Sequence, residues 1–429
     1  MRDENDYSGW RKYACAGISL CECLLFCGLH YGWAPLVYVF KNEGIYGDLC
    51  EQTLNSSNLL YKNASFDHII SYSIEDCRNC SSNKNGTAIS STADHHKCKA
   101  QDDKFAMTFT VASTIVCAGC VVFGHINLKF GTRVTRILSM TIFILGALML
   151  AFTNKEYAWL MLPGLTCLGT GGMPIFMTSV QVSNLFGKGA SSFVGSLSGA
   201  FDSSAFVMLL LKIGFEHGTS RETFLIGLAC LHTLVAINTF FFLPRSFITK
   251  TKLRKDIDLT IDKGENEVLT ETDKKNPLAD ESSKPSLRDS ILSPLYIMHV
   301  FWLCILQLRF YYFIGTLNPF LHKVTGRNEQ LVSHFTDVFG YCILGGIFTT
   351  TFAGFVYDWQ KRIFKDRKSK TSRQLLPALL PLSLGSGLSL LMSILLLIPR
   401  AEVLYLTFVV MVFMRSFLYG IGSSYLAAM

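Results

Sequence analysis

Ten apolar runs divide this chain, at 13–40, 105–128, 134–152, 157–186, 190–215, 223–243, 291–320, 331–357, 375–398 and 403–429. Each reaches or exceeds the ~20 residues with which a helix crosses ~30 Å of hydrocarbon. In lipid every backbone N–H and C=O must be satisfied inside the protein, so a chain patterned this way folds as helices. The expected fold class is therefore an all-α membrane protein, a helical bundle of about ten transmembrane helices. Several runs carry Gly and Pro, as between Gly164 and Pro174, which membrane helices tolerate when neighbours satisfy the freed backbone. Gly195 and Gly199, four apart in the fifth run, predict a close helix approach.

Only 17% of the residues are charged, against about 25% in soluble proteins, as a lipid-facing surface requires. The formal charge of +7 lies in short segments between the apolar runs and forms no stripe on an amphipathic helix. It carries topology and excludes nucleic acid as a partner; the bilayer is the partner. Residues 1–12 mix charges and aromatics, and the run after them is too long for a cleavable signal core. The first span thus doubles as an uncleaved signal.

Short basic connections stay in the cytosol. Lys129, Arg133 and Arg136 follow the second run, and Lys361, Arg362, Lys365, Arg367, Lys368, Lys370 and Arg373 follow the eighth. Both fall on one side if the N-terminus is cytosolic, in a multi-pass plasma-membrane protein. Segment 41–104 then lies outside the cell. It holds four N-x-S/T glycosylation acceptors, Asn55, Asn63, Asn79 and Asn85, and four cysteines, Cys50, Cys77, Cys80 and Cys98. Four cysteines in an oxidising compartment allow three connectivities. Cys50–Cys98 is favoured, tying the two membrane ends of the loop, with Cys77–Cys80 local or unpaired. A metal site from Cys77, Cys80, His95 and His96 is the alternative, disfavoured because oxidation removes the thiolates that zinc needs. Residues 245–290 balance acid and base, with much Ser, Thr and Asn and almost no aromatic residue. They read as a disordered cytosolic linker between a six-helix bundle at 13–244 and four helices at 291–429.

Two groups of strings carry a family resemblance. Gly124, Lys129, Gly131 and Arg133 match the basic signature that major facilitators place between spans two and three, with Leu128 standing where the aspartate belongs. The second-half copy keeps Gly354 and Asp358, followed by Lys361 and Arg362, and departs at Trp359. More narrowly, YGWAPLVYVFKNEGIYGDLC (31–50), CKAQDDKF (98–105), NLFG (184–187), GAFDSSA (199–205), FIGTLN (313–318) and RSFLYG (415–420) resemble solute carrier family 43 of the major facilitator superfamily. GAFDSS, FIGTLN and RSFLYG among them look like its equilibrative nucleobase transporter branch. The resemblance implies sodium-independent facilitated diffusion of purine bases such as adenine, guanine and hypoxanthine. The family's other branch, facilitators of large neutral amino acids, is the alternative. The family has twelve spans and this chain stops with its tenth run. The expectation is a fragment, with a truncated, non-transporting membrane protein as a further alternative.

The resemblance also implies that spans one, four, seven and ten line a central cavity. Candidate substrate-binding residues are then Thr178 and Gln181 on span four, Gln307, Arg309, Tyr312 and Asn318 on span seven, and Arg415 and Tyr419 on span ten. Side-chain amides match the alternating donors and acceptors of a purine edge, and an aromatic ring stacks on its face. An amino acid instead demands charged or helix-end partners. Ionisable groups inside a membrane are functional candidates by default. Glu22 and Asp202 are such groups, and Asp202 either neutralises an arginine structurally or takes part in binding or gating. By the resemblance, Asp358 and Arg362 belong to the cytosolic gate. His30, His125 and His232 lie far apart, and the sequence has no nucleophile elbow, phosphate loop or zinc-type histidine pair. These histidines read as packed or interfacial residues, and neither catalysis nor a cofactor is expected.

Overall fold

The computed structural model describes residues 10–50, 99–243, 292–326, 328–365, 369, 373 and 375–421. The four sequons, Cys98 with its pairing to Cys50, the cysteine–histidine alternative and the 245–290 linker lie outside these residues.

The described elements are helical. In chain order the helices used below are α1 (Trp10–Glu22), α2 (Trp33–Asn42), α3 (Lys99–Ala151), α4 (Met161–Val180), α5 (Ala190–Ser203), α6 (Phe206–Glu216), α7 (Arg221–His232), α8 (Pro294–Val324), α9 (Glu329–Leu344), α10 (Gly346–Ile363), α11 (Leu379–Leu395) and α12 (Val403–Ser416). Side chains start several of them. Ser293 caps α8 at the Tyr296 amide with Pro294 in the first turn, Ser220 caps α7 at Thr223, and Asn328 caps α9 at Leu331. Among the described residues, eight helices are long and apolar enough to cross a bilayer, or nine when α9 and α10, bent by 42°, count as one broken span. This is a multi-pass membrane protein, with fewer separate spans than the ten apolar runs suggest.

The count falls because α3 merges two runs. At 53 residues it would measure about 80 Å if straight. It reverses instead at Gly131, whose φ of 81° is open to glycine at little cost. Val116 and Phe143 would stand ~40 Å apart in a straight helix, yet both pack on the short glycine stretch of α4, at Gly169 and Gly171 respectively. Arg136 therefore does not belong to a cytosolic connection, as its sequence position suggests. It lies past the reversal, on the returning arm, and is 1% exposed.

The first run is broken where it meets the fifth. Between α1 and α2 the chain passes through a wide turn at Cys23–Cys27 and a tight one at Leu29–Tyr31. The Gly28 amide freed there donates to Ser204 Oγ at 2.7 Å, in the matching break between α5 and α6. A Cβ on Gly28 would sit 2.6 Å from the Phe201 carbonyl oxygen, so only glycine admits this crossing. Across the two halves, Gly199 packs on Ile347 and Gly346 on Asp202, with Cβ positions 2.9 and 3.1 Å from their neighbours. Large apolar side chains such as Val121, Leu128, Phe348 and Leu397 are largely exposed, which is an outer surface suited to lipid.

Candidate functional site

The broken first span, α5, α8 and α12 converge on one guanidinium. Arg415 is 2% exposed and meets Asp202 at 2.8 Å through Nε. Its Cζ lies 4.4 Å from the ring centroid of Tyr31, 5.1 Å from Phe310, and 5.9 Å from both Phe201 and Tyr419. Cation–π attraction in a desolvated setting holds such a group firmly. Nη1 and Nη2 have no hydrogen-bond partner among the described residues, so the inner edge of the fork is still able to donate.

Hydroxyls close the other side. Tyr31 Oη lies 3.1 Å from Tyr311 Oη and 3.4 Å from Tyr419 Oη. Gln307 Nε2 donates to Tyr311 at 3.1 Å and Tyr419 at 3.3 Å, and Cys117 Sγ of α3 is 3.5 Å from Tyr311. The Tyr31 and Tyr311 rings are nearly parallel, 15° apart with centroids 6.0 Å apart. Tyr31, Phe201 and Asp202 come from the first six runs, and Gln307, Phe310, Tyr311, Arg415 and Tyr419 from the last four. The site therefore lies between the halves. A planar solute entering it would find aromatic faces, two cationic N–H donors and a ring of hydroxyls.

The remaining sequence candidates scatter. Tyr312 is 63% exposed on the outward side of α8, and Tyr311 takes the inward position expected of it; neighbours on a helix point about 100° apart. Arg309 also turns away, its Nε bonding Ser393 of α11 at 2.9 Å. Asn318 is buried but accepts from Lys41 Nζ at 2.6 Å, near the end of the bundle where α2 terminates. Thr178 and Gln181 face inside the first half. Gln181 accepts from Thr132 at 3.2 Å.

Thr178 belongs to a second buried network. Arg136 donates to Thr239 at 2.8 Å, to Thr178 at 3.1 Å and to Glu22, and Glu22 also accepts from Asn238 at 2.9 Å. All of these residues are in the first half.

One end of the bundle is tied across the halves. Lys212, fully buried, pairs with Asp337 at 2.5 Å and Glu216 at 3.0 Å and donates to Ser333 at 2.7 Å. Lys41 pairs with Asp102 at 2.5 Å besides its bond to Asn318. Arg221 meets Glu43 at 2.8 Å there, and burial pushes the Glu43 carboxyl above its usual range despite that cation. At the opposite end Asp358 is half exposed and faces Lys361 of its own helix at 4.0 Å, while Arg362 is exposed.

Tyr31, Phe201, Phe310 and Tyr311 line this candidate site and were not among the residues singled out from the sequence. Tyr31 and Phe201 sit inside the strings that carry the family resemblance, beside the glycines of the first span and next to Asp202. That adjacency was the available signal. Among the described residues no group of three His, Cys, Asp or Glu side chains is arranged to hold a metal ion.

The chain is 29% identical over 432 aligned positions to equilibrative nucleobase transporter 1 of Bos taurus, covering 95% of this chain and 81% of that protein. It is similar to a nucleobase transporter over nearly its whole length. It is also 23% identical to large neutral amino acids transporter small subunit 3 of Mus musculus, over 82% of this chain and 66% of that protein. The crystal structure of a D-xylose–proton symporter superposes with a TM-score of 0.47 at 14% identity, covering 96% of this chain and 85% of the other. No family model matches.

Proposed function

We propose that this chain is a facilitator of the major facilitator type that moves purine nucleobases such as adenine, guanine and hypoxanthine across the plasma membrane, without sodium. The observation that carries the reading is the Arg415 box, where four aromatic rings surround a guanidinium with two nitrogens unpartnered among the described residues. A purine offers that box a flat π-face and an edge rich in acceptors. The similarity to the bovine nucleobase transporter supports the same choice.

The mechanism follows from where the box lies. Both halves contribute to it, so rocking one against the other opens it to alternate sides. The Lys212 and Lys41 clusters close one end. With the N-terminus in the cytosol that end is extracellular, and this conformation faces inward. Asp358 and Arg362 would then engage only when the cytosolic end closes. In this reading the two arms of α3 and the bent α9–α10 pair count as spans, giving ten. Asn55, Asn63, Asn79 and Asn85 carry glycans and Cys50 pairs with Cys98 on the outer loop.

A second reading has a specific observation behind it. Asp202 and Arg415 are complementary charges inside the site, which is what a zwitterionic amino acid demands. Their mutual pairing at 2.8 Å neutralises both and argues for the uncharged base. Uptake of labelled adenine and of labelled leucine by cells expressing the chain separates the two. Saturable adenine uptake supports the first; leucine uptake without adenine uptake establishes the second.

A further inference from the structure

His30 stands beside the box and makes no side-chain hydrogen bond to it among the described residues. It lies in the tight turn Leu29–Tyr31 that interrupts the first span, and only 2% of it is exposed. Its ring packs 3.9 Å from that of Tyr31. Another contact is with α4 at Gly169, where a Cβ would sit 3.3 Å from the His30 Cγ and Nδ1. The missing side chain is what makes room for the imidazole.

Neither ring nitrogen of His30 has a hydrogen-bond partner among the described residues. Buried polar atoms left unpaired are rare and call for an explanation, and here two lie on a residue whose neighbour, Tyr31, is a wall of the site. His232 has two unpaired nitrogens as well, but its ring is enclosed by Phe143 at 3.8 Å and Phe26 at 4.6 Å. It is packed inside the first half, away from the box, and serves as a natural control.

We propose that His30 is a specificity-determining residue that hydrogen-bonds the polar edge of a base held against Tyr31. The proposal rests on the nucleobase reading above and names a residue for it. Arg415 can only donate, and the tyrosine hydroxyls are tied to one another and to Gln307. A neutral imidazole carries one N–H and one lone pair and exchanges them by tautomerism. The nitrogen facing the solute can accept from the amino group of adenine or donate to the carbonyl of hypoxanthine. One side chain would thus serve both 6-amino and 6-oxo purines.

The test compares His30→Phe, His30→Gln and His232→Phe in adenine and hypoxanthine uptake, normalised to surface copies. Loss of one edge hydrogen bond predicts that His30→Phe raises the apparent KM for both bases about tenfold. Maximum rate per surface copy should stay near wild type. Gln keeps a donor and an acceptor, so His30→Gln should recover most of the loss, and His232→Phe should leave KM unchanged. Wild-type KM values in His30→Phe would overturn the proposal, as would a His30→Gln variant that reaches the surface without any recovery. If Phe at this position prevents surface expression, His30→Gln against His30→Ala decides by the same criterion. A wild-type chain that moves neither base would instead fell the nucleobase reading itself.

Discussion

Among the described residues two arginine–carboxylate pairs are buried on both sides, and their surroundings differ. Arg136 and Glu22 lie within the first half, and every nitrogen of Arg136 is engaged, by Thr239, Thr178 and Glu22. Arg415 and Asp202 lie between the halves, and two guanidinium nitrogens have no hydrogen-bond partner among the described residues, within a box of four aromatic rings. A guanidinium whose three nitrogens are all engaged within the first half ties those helices together. A guanidinium with unengaged nitrogens between the halves is the one the proposed reading assigns to solute binding. Residue type alone does not separate the two; the count of remaining donors and the elements that supply the partners do.

The largest expected effect comes from breaking the pair within the first half. Arg136→Met leaves Glu22 as a buried, uncompensated carboxylate, which costs about 3–5 kcal/mol. It should abolish surface expression, as read by surface biotinylation. Glu22→Gln with Arg136→Met should restore much of that expression, because no charge is then left without a partner. Full surface levels in the single variant would remove the structural role assigned to Arg136.

Asp202→Asn should act on the other side of the comparison. The variant keeps the shape of the pair but leaves Arg415 uncompensated, so transport should fall about tenfold or more, a loss of roughly 1.4 kcal/mol or above, while protein still reaches the surface. Wild-type uptake kinetics in Asp202→Asn would show the carboxylate to be dispensable.

A smaller effect separates two neighbours on α8. Tyr311→Phe removes a hydroxyl bonded to Tyr31 and Gln307 and should raise the apparent KM a few-fold, since a neutral hydrogen bond contributes about 1 kcal/mol. Tyr312→Phe, on the exposed side, should leave uptake unchanged. The reverse order would move the site to the outer face of α8.

The smallest effect is expected at the tied end. Lys212→Met removes one cross-half cluster while the Lys41–Asn318 bond remains. It should shift the balance between conformations, seen as faster labelling of a cysteine placed at Ser333, with uptake changed by about twofold or less. Unchanged labelling would mean that Lys212 does not hold this end closed.

The helical, membrane-spanning class was legible in the apolar runs because run length is set directly by bilayer thickness. What the runs did not reveal is how they join. Lys129, Arg133 and Arg136 read as one basic connection, but Gly131 places the reversal between them and carries Arg136 back among buried partners. The site was half legible for a related reason. Arg415, Tyr419, Gln307 and Asp202 stand out as polar groups in apolar runs, and they do converge. Which of Tyr311 and Tyr312 faces inward depends on the rotation of α8 against its neighbours, and a run that is apolar all round does not encode it. Tyr31 and His30 owe their positions to a broken span whose freed amide is taken up by Ser204, a partner far away in sequence.

If solute binds in the Arg415 box, adenine uptake per surface copy in Arg415→Lys is the quantity that must change. Lysine keeps the positive charge but lacks the planar fork and its free N–H groups. Uptake about tenfold or more below wild type, at an equal surface level, is the predicted result. Wild-type adenine uptake in Arg415→Lys would contradict it.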